Sequence, residues 1–375
     1  MTTTGPGLQK DIFKESFSDL KDPRRISKGN LQYSLEEILF LTLSAIVSGC
    51  NTWVLIEEFG KQKTDWLRKF HPYKFGTPSH DTLGGFFSAL DKKNFSSCFI
   101  NYAASISEHT DGRVIALDGK TVRGVGSTSK KYPIHIVTAF CTKNKLSLAQ
   151  ETVGEKSNEI VAIPKLLDII TLKGCIVTID AMGCQKDIAL KIRKKEANYI
   201  LQVKGNQEGL QEQVKKLFQR KTLRNIDITH DCDHGRIEKR TCEVIDNLTF
   251  LDDKEDWKDL KSIVRINSYR EDKKSGKSSN SYRYYITSLP NNAKLINESI
   301  RSHWAIENNL HWNLDVIFSE DNQLKRKGNS VENFNIMTKV ALALIDKEKT
   351  IKKSKPTKRF KALLNDTYRE LILKV

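Results

Sequence analysis

Residues 114–120 read VIALDGK, and residues 175–180 read CIVTID followed by Ala181, Met182 and Gly183. In the first stretch four apolar residues run into Asp118 and a Gly-Lys step follows. This pattern predicts a buried strand that delivers an acid where it leaves the core. The second stretch does the same for Asp180. Two buried strands that each bring one aspartate to an edge are what a divalent-metal site requires.

Outward from this pair, strand patterns fall at 113–118, 133–141, 146–152, 175–180 and 198–203. Helical patterns fall at 158–172, where Ile160, Ile163, Leu166, Leu167 and Ile170 recur at helical spacing, and at 184–196. A meander followed by alternating strands and helices predicts a mixed α/β layer with helices covering the sheet. Upstream, Ser34 and Glu37 form a capping-box pattern that opens a helix through residue 47. Helical patterns at 54–70 and 79–90 follow, so 1–108 is expected as a helical N-terminal domain and 109–206 as the first part of the α/β core. Residues 207–290 break the rhythm with a helix at 209–218 and strand-like runs at 236–245, 261–270 and 281–288. A polar hairpin tip lies at 273–280, and the whole predicts a β-rich insertion. Helices return at 292–316 and 332–345, making 291–346 the end of the core. Residues 347–375 form a basic tail whose stretch 347–361 holds eight lysines and arginines, expected as a flexible phosphate-gripping arm.

A third acid emerges from the helix expected at 292–316. With Glu307 as origin, Ile296, Ile300, His303, Trp304, Leu310, His311 and Leu314 lie within about 60 degrees of it, at roughly 100 degrees per residue. Glu307 is therefore expected in the middle of the core-facing stripe. A buried carboxylate there needs a metal or an opposite charge, the alternative being an ion pair with a residue such as Arg301. Three converging carboxylates are hard oxygen donors that select Mg²⁺, with Mn²⁺ able to substitute. Two such ions about 4 Å apart activate an attacking oxygen and stabilise the leaving oxygen of a phosphodiester.

The charge balance agrees with a nucleic-acid substrate. Lysine and arginine number 62 against 46 acids, a formal charge of +16, which points to a polyanion. Seven cysteines are scattered singly, and Cys232, His234 and Cys242 lack zinc-finger spacing, so neither a disulfide framework nor a structural zinc is expected. The longest apolar stretch, 38–50, falls short of the roughly 20 residues that a membrane span needs. The expected compartment is a reducing cytoplasm.

These residues resemble the DDE transposases of bacterial insertion sequences, in the branch that includes the H-repeat-associated proteins. The likeness is carried by PRR at 23–25, TPSHDTLGGFFSALD at 77–91, ALDGKTVRG at 116–124, KSNEI at 156–160, TIDAMGCQ at 178–185 and ILQVKGNQ at 200–207. It continues through HGRIEKR at 234–240, IRSHWAIENNLHWNLDVIFSEDNQLKRKGNS at 300–330 and ENF at 332–334. The resemblance implies a ribonuclease-H-like core with a β-strand insertion before the catalytic glutamate. It also implies a metal triad of Asp118, Asp180 and Glu307, and an enzyme that cleaves transposon ends and transfers strands. The alternatives are a non-transposing metal nuclease and a catalytically silent DNA-binding relic. Broader relatives place Tyr, Arg and Lys seven before, four before and seven after the glutamate; here these positions hold Ile300, His303 and Leu314. Phosphate grip is therefore sought from Arg301, His303, Lys325 and Lys327.

Lys120 and Arg123, just after Asp118, are candidate contacts to the scissile phosphate, with a solvated turn as the alternative. Lys-Gly-Asn occurs at 28–30, 204–206 and 327–329, and Lys204 and Lys327 are candidates for phosphate. His234 and Arg236 lie in a motif of the resemblance and are expected on DNA. Trp304 is expected in the core, and Trp312 off the apolar stripe. The partners expected are double-stranded DNA and a second copy of the chain, since two ends must be held together.

Overall fold

A computed structural model describes residues 15–24, 31–107, 112–123, 134–154, 158–220, 223–233 and 235–374. The helical N-terminal part comprises α1 (Leu35–Val47), α2 (Trp53–Gln62), α3 (Thr64–Leu67), α4 (His80–Ala89) and α5 (Lys92–Ile106). The expected capping box opens α1: Ser34 Oγ accepts from Glu37 N at 3.1 Å, and Glu37 Oε2 accepts from Ser34 N at 2.7 Å. The helix expected over 54–70 is broken at Lys63. There Thr64 Oγ1 turns back onto the Gly60 carbonyl at 2.7 Å, a local bond that competes with helix continuation.

One nine-stranded sheet follows. It contains β1 (Val114–Val122), β2 (Ile134–Cys141), β3 (Leu146–Val153), β4 (Ile176–Ile179) and β5 (Asn198–Val203). The second half contains β6 (Asn225–Asp233), β7 (Arg236–Ile245), β8 (Ser262–Asp272) and β9 (Ser278–Thr287). Its order is β3-β2-β1-β4-β5-β9-β8-β7-β6. The first five strands form a β1–β3 meander with β4 and β5 parallel to β1, the ribonuclease-H-like arrangement. Strand β9 pairs antiparallel with β5, so β6–β9 prolong the core sheet. Strand β6 lies outside the strand-like runs expected in 207–290. Its sequence, NIDITHDCD, is polar at every second position and occupies an outer edge, where apolar patterning is weak.

Helices α6 (Glu159–Ile169), α7 (Lys186–Lys194) and α8 (Glu208–Gln219) connect these strands. The chain then enters α9 (Ala293–His303), a π-helical turn over Ile306–His311, α10 (Trp312–Val316) and α11 (Ser330–Lys347). The single helix expected at 292–316 is thus interrupted. In α11 every residue from Ser330 to Ile345 is buried, the mark of a helix covered on all sides. It packs on α1, α4, α5 and β3, so the N-terminal helices and the sheet share one hydrophobic core.

The flexible arm expected at 347–361 is corrected. Residues Lys355–Leu364 (α12) and Asp366–Leu373 (α13) form two helices against α1. Arg359 is buried because its guanidinium donates to Ile46 O (2.8 Å), Ile317 O (2.5 Å) and Asn51 Oδ1 (2.5 Å). Lys358 is likewise buried, with Nζ 3.0 Å from Glu348 Oε2. These basic residues spend their donors on the protein.

Candidate active site

Asp118 does not end its strand. Strand β1 runs on to Val122 because β2 accompanies it, with Asp118 opposite Thr138 and Val122 opposite Ile134. Its other neighbour stops earlier: the last β1–β4 pair is Leu117 with Ile179. Asp118 and Asp180 are each one residue past that pair, at the point where two parallel strands part. Asp180 then caps a short 3₁₀ turn, Ala181–Gly183, with Oδ1 accepting from Met182 N at 3.0 Å.

Glu307 reaches the same place from the π-helical turn. Asp118, Asp180 and Glu307 line one cavity of about 200 Å³, together with Thr178, Gln202, Lys204, Arg283, Tyr285, Ile300, His303 and Trp304. The expectation of a core-facing Glu307 is corrected: its side chain is exposed, while Ile306 and Leu310 take the buried positions. Trp304, expected in the core, is 39% exposed, with the Arg283 guanidinium 5.3 Å from its ring centroid.

The acids feel one another. Burial first, then the charges of Asp180 and Glu307, push Asp118 up to about 7. Asp180 is also raised, by burial and then by the charge of Glu159, and is partly relieved by the Met182 and Gly183 amides and by Lys204. His303 donates or accepts through Nδ1 at 2.9 Å from Thr178 Oγ1, and burial lowers it to about 4. His311 Nδ1 lies 3.4 Å from Asp118 Oδ2, and burial followed by the Lys339 and Lys120 charges lowers this ring to about 3.

The basic candidates separate. Lys204 and His303 line the cavity. Lys120 is taken up by acids: Asp315 at 2.7 Å, Glu320 at 2.6 Å and Asp321 at 3.3 Å. Lys325 is buried, donating to Asn51 O at 2.5 Å and lying 3.7 Å from the Phe334 ring centroid. Arg301 bonds Asp231 at 2.8 Å and Glu238 at 3.2 Å while staying half exposed. Arg123, Arg236 and Lys327 are exposed; the Arg123 amide donates to Asp321. His234 lies outside the described residues. In the Lys-Gly-Asn copy at 204–206, Asn206 holds Ala181 O at 2.6 Å. In the copy at 327–329, Asn329 holds Leu90 O at 3.0 Å.

Sequence reading missed Gln202, Arg283 and Tyr285. A signal existed: on β5 the alternation that faces Lys204 into the cavity also faces Gln202, and Arg283 and Tyr285 share a face of β9 by the same rule.

Residues 109–344 match the family described as Transposase DDE domain, and residues 14–103 match the one described as DDE_Tnp_1-associated. The chain belongs to the DDE transposase family. It is 41% identical over 355 residues to "Putative transposase YncI" of Escherichia coli O157:H7, covering 92% of this chain and 90% of that protein. To "H repeat-associated putative transposase YhhI" of Escherichia coli K12 it is 37% identical over 373 residues, covering 96% of this chain and 97% of the relative. A shorter match is to "Inactive transposase YbfQ" of the same strain, 39% identical over 51 residues, 14% of this chain and 61% of that protein. DNA is the substrate class that membership in this family implies. No helix among the described residues is long and apolar enough to cross a membrane.

Proposed function

We propose that this chain cleaves the ends of an insertion sequence and transfers them to target DNA, using divalent cations held by Asp118, Asp180 and Glu307. The observation that carries the reading is the convergence of three acids, from β1, the end of β4 and the π-helical turn, on one cavity with Lys204 and Arg283 in its wall. Their donor set is all hard oxygen, and Asp118 is lifted by burial first and then by the neighbouring Asp180 and Glu307 charges, a repulsion of the kind a cation relieves. Among the described residues no three His, Cys, Asp or Glu side chains close on a single point. Mg²⁺ or Mn²⁺ bound here would take only part of its shell from these acids and the rest from water, as Mg²⁺ commonly does.

When bound, these cations supply the Lewis acidity for displacing a phosphodiester oxygen by water or by a 3′-hydroxyl. The chain's own residues bind and orient. Asp180 is held in place by the Met182 amide. Lys204 balances the acids and offers an ammonium to phosphate. Arg283 and Trp304 form a wall that a nucleotide can lie against. Exposed Arg123, Arg236 and Lys327 extend the positive surface for duplex DNA, and two copies of the chain pair two ends. The protein works in the cytoplasm.

The test uses a plasmid carrying the reading frame's own flanking DNA. Wild-type protein with Mg²⁺ nicks the element's ends and then joins them to target; chelation stops both steps. Asp180→Asn retains salt-sensitive duplex binding but gives neither product. Unchanged cleavage by that variant would remove the triad from the mechanism. Cleavage without joining, when pre-cut ends are supplied, would make the chain a nuclease. Binding without either step would make it a silent relic.

A further inference from the structure

The π-helical turn Ile306–His311 carries two side chains of the site. Glu307 lines the cavity, and His311 reaches Asp118, with Nδ1 at 3.4 Å from Oδ2. A turn of i→i+5 bonds adds a residue to a helix and resets the facing of every residue after it; such turns concentrate at functional sites. Its carbonyls receive side-chain support, because the Asn313 amide donates to Asn308 O at 3.1 Å and Asn309 O at 2.9 Å. The interruption is therefore built and supported.

We propose that His311 is a positioning residue for Asp118: its Nδ1–H donates to Oδ2 and fixes the carboxylate rotamer, leaving the second oxygen for a cation. The inference rests on the reading of Asp118 as a cation ligand. The other ring nitrogen supplies the first argument. His311 Nε2 is buried and has no hydrogen-bond partner. A buried N–H left unmet costs more than an unmet lone pair, so the single ring proton belongs on Nδ1, the nitrogen that faces a carboxylate. The second argument lies beneath the strand. Lys339 Nζ, fully buried, donates to Thr138 Oγ1 at 2.9 Å and Gln150 Oε1 at 2.7 Å. Thr138 is the direct cross-strand partner of Asp118, so both side chains stand on one face of the sheet. Lys339 thereby ties the residue opposite Asp118 to α11 and β3, so the carboxylate that His311 meets stands on a braced stretch of backbone. The 3.4 Å separation is long for a hydrogen bond, and contacts of this kind tighten when the working complex forms.

The test measures binding of Mn²⁺ alone to the full-length protein, by the loss of the free-ion electron paramagnetic resonance signal, beside thermal unfolding of each variant. Removing an outer-sphere partner of a metal ligand costs on the order of 10-fold or more in affinity. His311→Leu is expected to weaken Mn²⁺ by about that factor. His311→Asn, whose amide nitrogen sits near the Nδ1 position, should stay within about threefold of wild type. His311→Gln, whose amide sits near Nε2, should not recover. If His311→Leu fails to fold, the Asn and Gln variants decide the matter by themselves. Wild-type affinity in His311→Leu, with affinity lost in Asp118→Asn, overturns the proposal and leaves the cation centre standing. Equal weakening in all three His311 variants at unchanged unfolding temperature overturns it too, since a lost donor would not be the cause. Wild-type affinity in Asp118→Asn would sink the cation reading, and this inference with it.

Discussion

At the scale of single residues, Gly119 shows how closely the acid-bearing strand is approached. A Cβ at this position would overlap Glu159 Oε1 and His135 Nε2. Those two groups are bonded to each other at 2.5 Å, and His135 Nδ1 meets Thr121 Oγ1 at 2.9 Å. Thr121 and His135 are cross-strand partners on β1 and β2, so the Glu159–His135 pair clamps helix α6 onto the strand that bears Asp118. Gly119→Ala is therefore expected to destabilise the fold by about 1–3 kcal/mol, the usual cost of overpacking, and to lower end cleavage by displacing β1. Urea unfolding checks the first effect, and an unchanged midpoint would mean that the pair swings aside freely. The strands that carry the two aspartates were legible in the sequence, because a short apolar run closed by a turn reads as a buried strand. Glu307 was found for a reason the structure does not support, since its side chain is exposed. Lys120 and Lys325 could not be sorted from the free lysines, because composition counts charges without showing the acids or carbonyls that consume them.

At the scale of elements, the wide turn between α9 and α10 matters most. A helical wheel assumes one rotation per residue throughout, so a single inserted residue is invisible to it and carries everything downstream to another face. Regular elements did better: β5 spans Asn198–Val203 as expected, and α1 begins at its capping box. The C-terminal pair α12 and α13 was misread because buried arginines such as Arg359 and Arg369 look like solvated ones in sequence. Arg369 donates to Ala362 O at 2.8 Å and lies 3.8 Å from the Trp66 ring centroid. The support of the wide turn yields a direct expectation. Asn313→Leu keeps the size of the side chain and removes its donors, leaving the Asn308 and Asn309 carbonyls without that partner. The expected loss is about 1–3 kcal/mol, read by chemical denaturation. A fall in Mn²⁺ affinity should accompany it, as Glu307 and His311 lose their fixed spacing. Full stability in this variant would show that the turn holds without Asn313.

At the scale of the whole molecule, the join between the N-terminal helices and the sheet carries two buried ammonium groups. Lys325 bonds the Asn51 carbonyl and Gln323 and lies against the rings of Phe334 and Trp53. Lys339, on the buried helix α11, bonds Thr138 and Gln150. The hydrogen-bond partners are neutral oxygens, and burial lowers both amines from their usual value to about 7. Between pH 7 and the ordinary lysine value the unfolded chain keeps these two protons and the folded chain sheds them. The unfolded state therefore binds more protons in this window, and stability rises with pH. Below pH 7 both states are protonated and the cost of burying two cations is borne in full. Across this window each lysine adds at most about 1.4 kcal/mol per pH unit. Urea unfolding at pH 7, 8, 9 and 10 should show the wild type gaining stability relative to a Lys325→Met, Lys339→Met double variant. The comparison cancels the tyrosines and cysteines that titrate in the same range in both proteins. A double variant whose stability tracks the wild type across all four pH values would mean that the seam keeps its ammonium groups charged, and that its polar partners fully offset their burial.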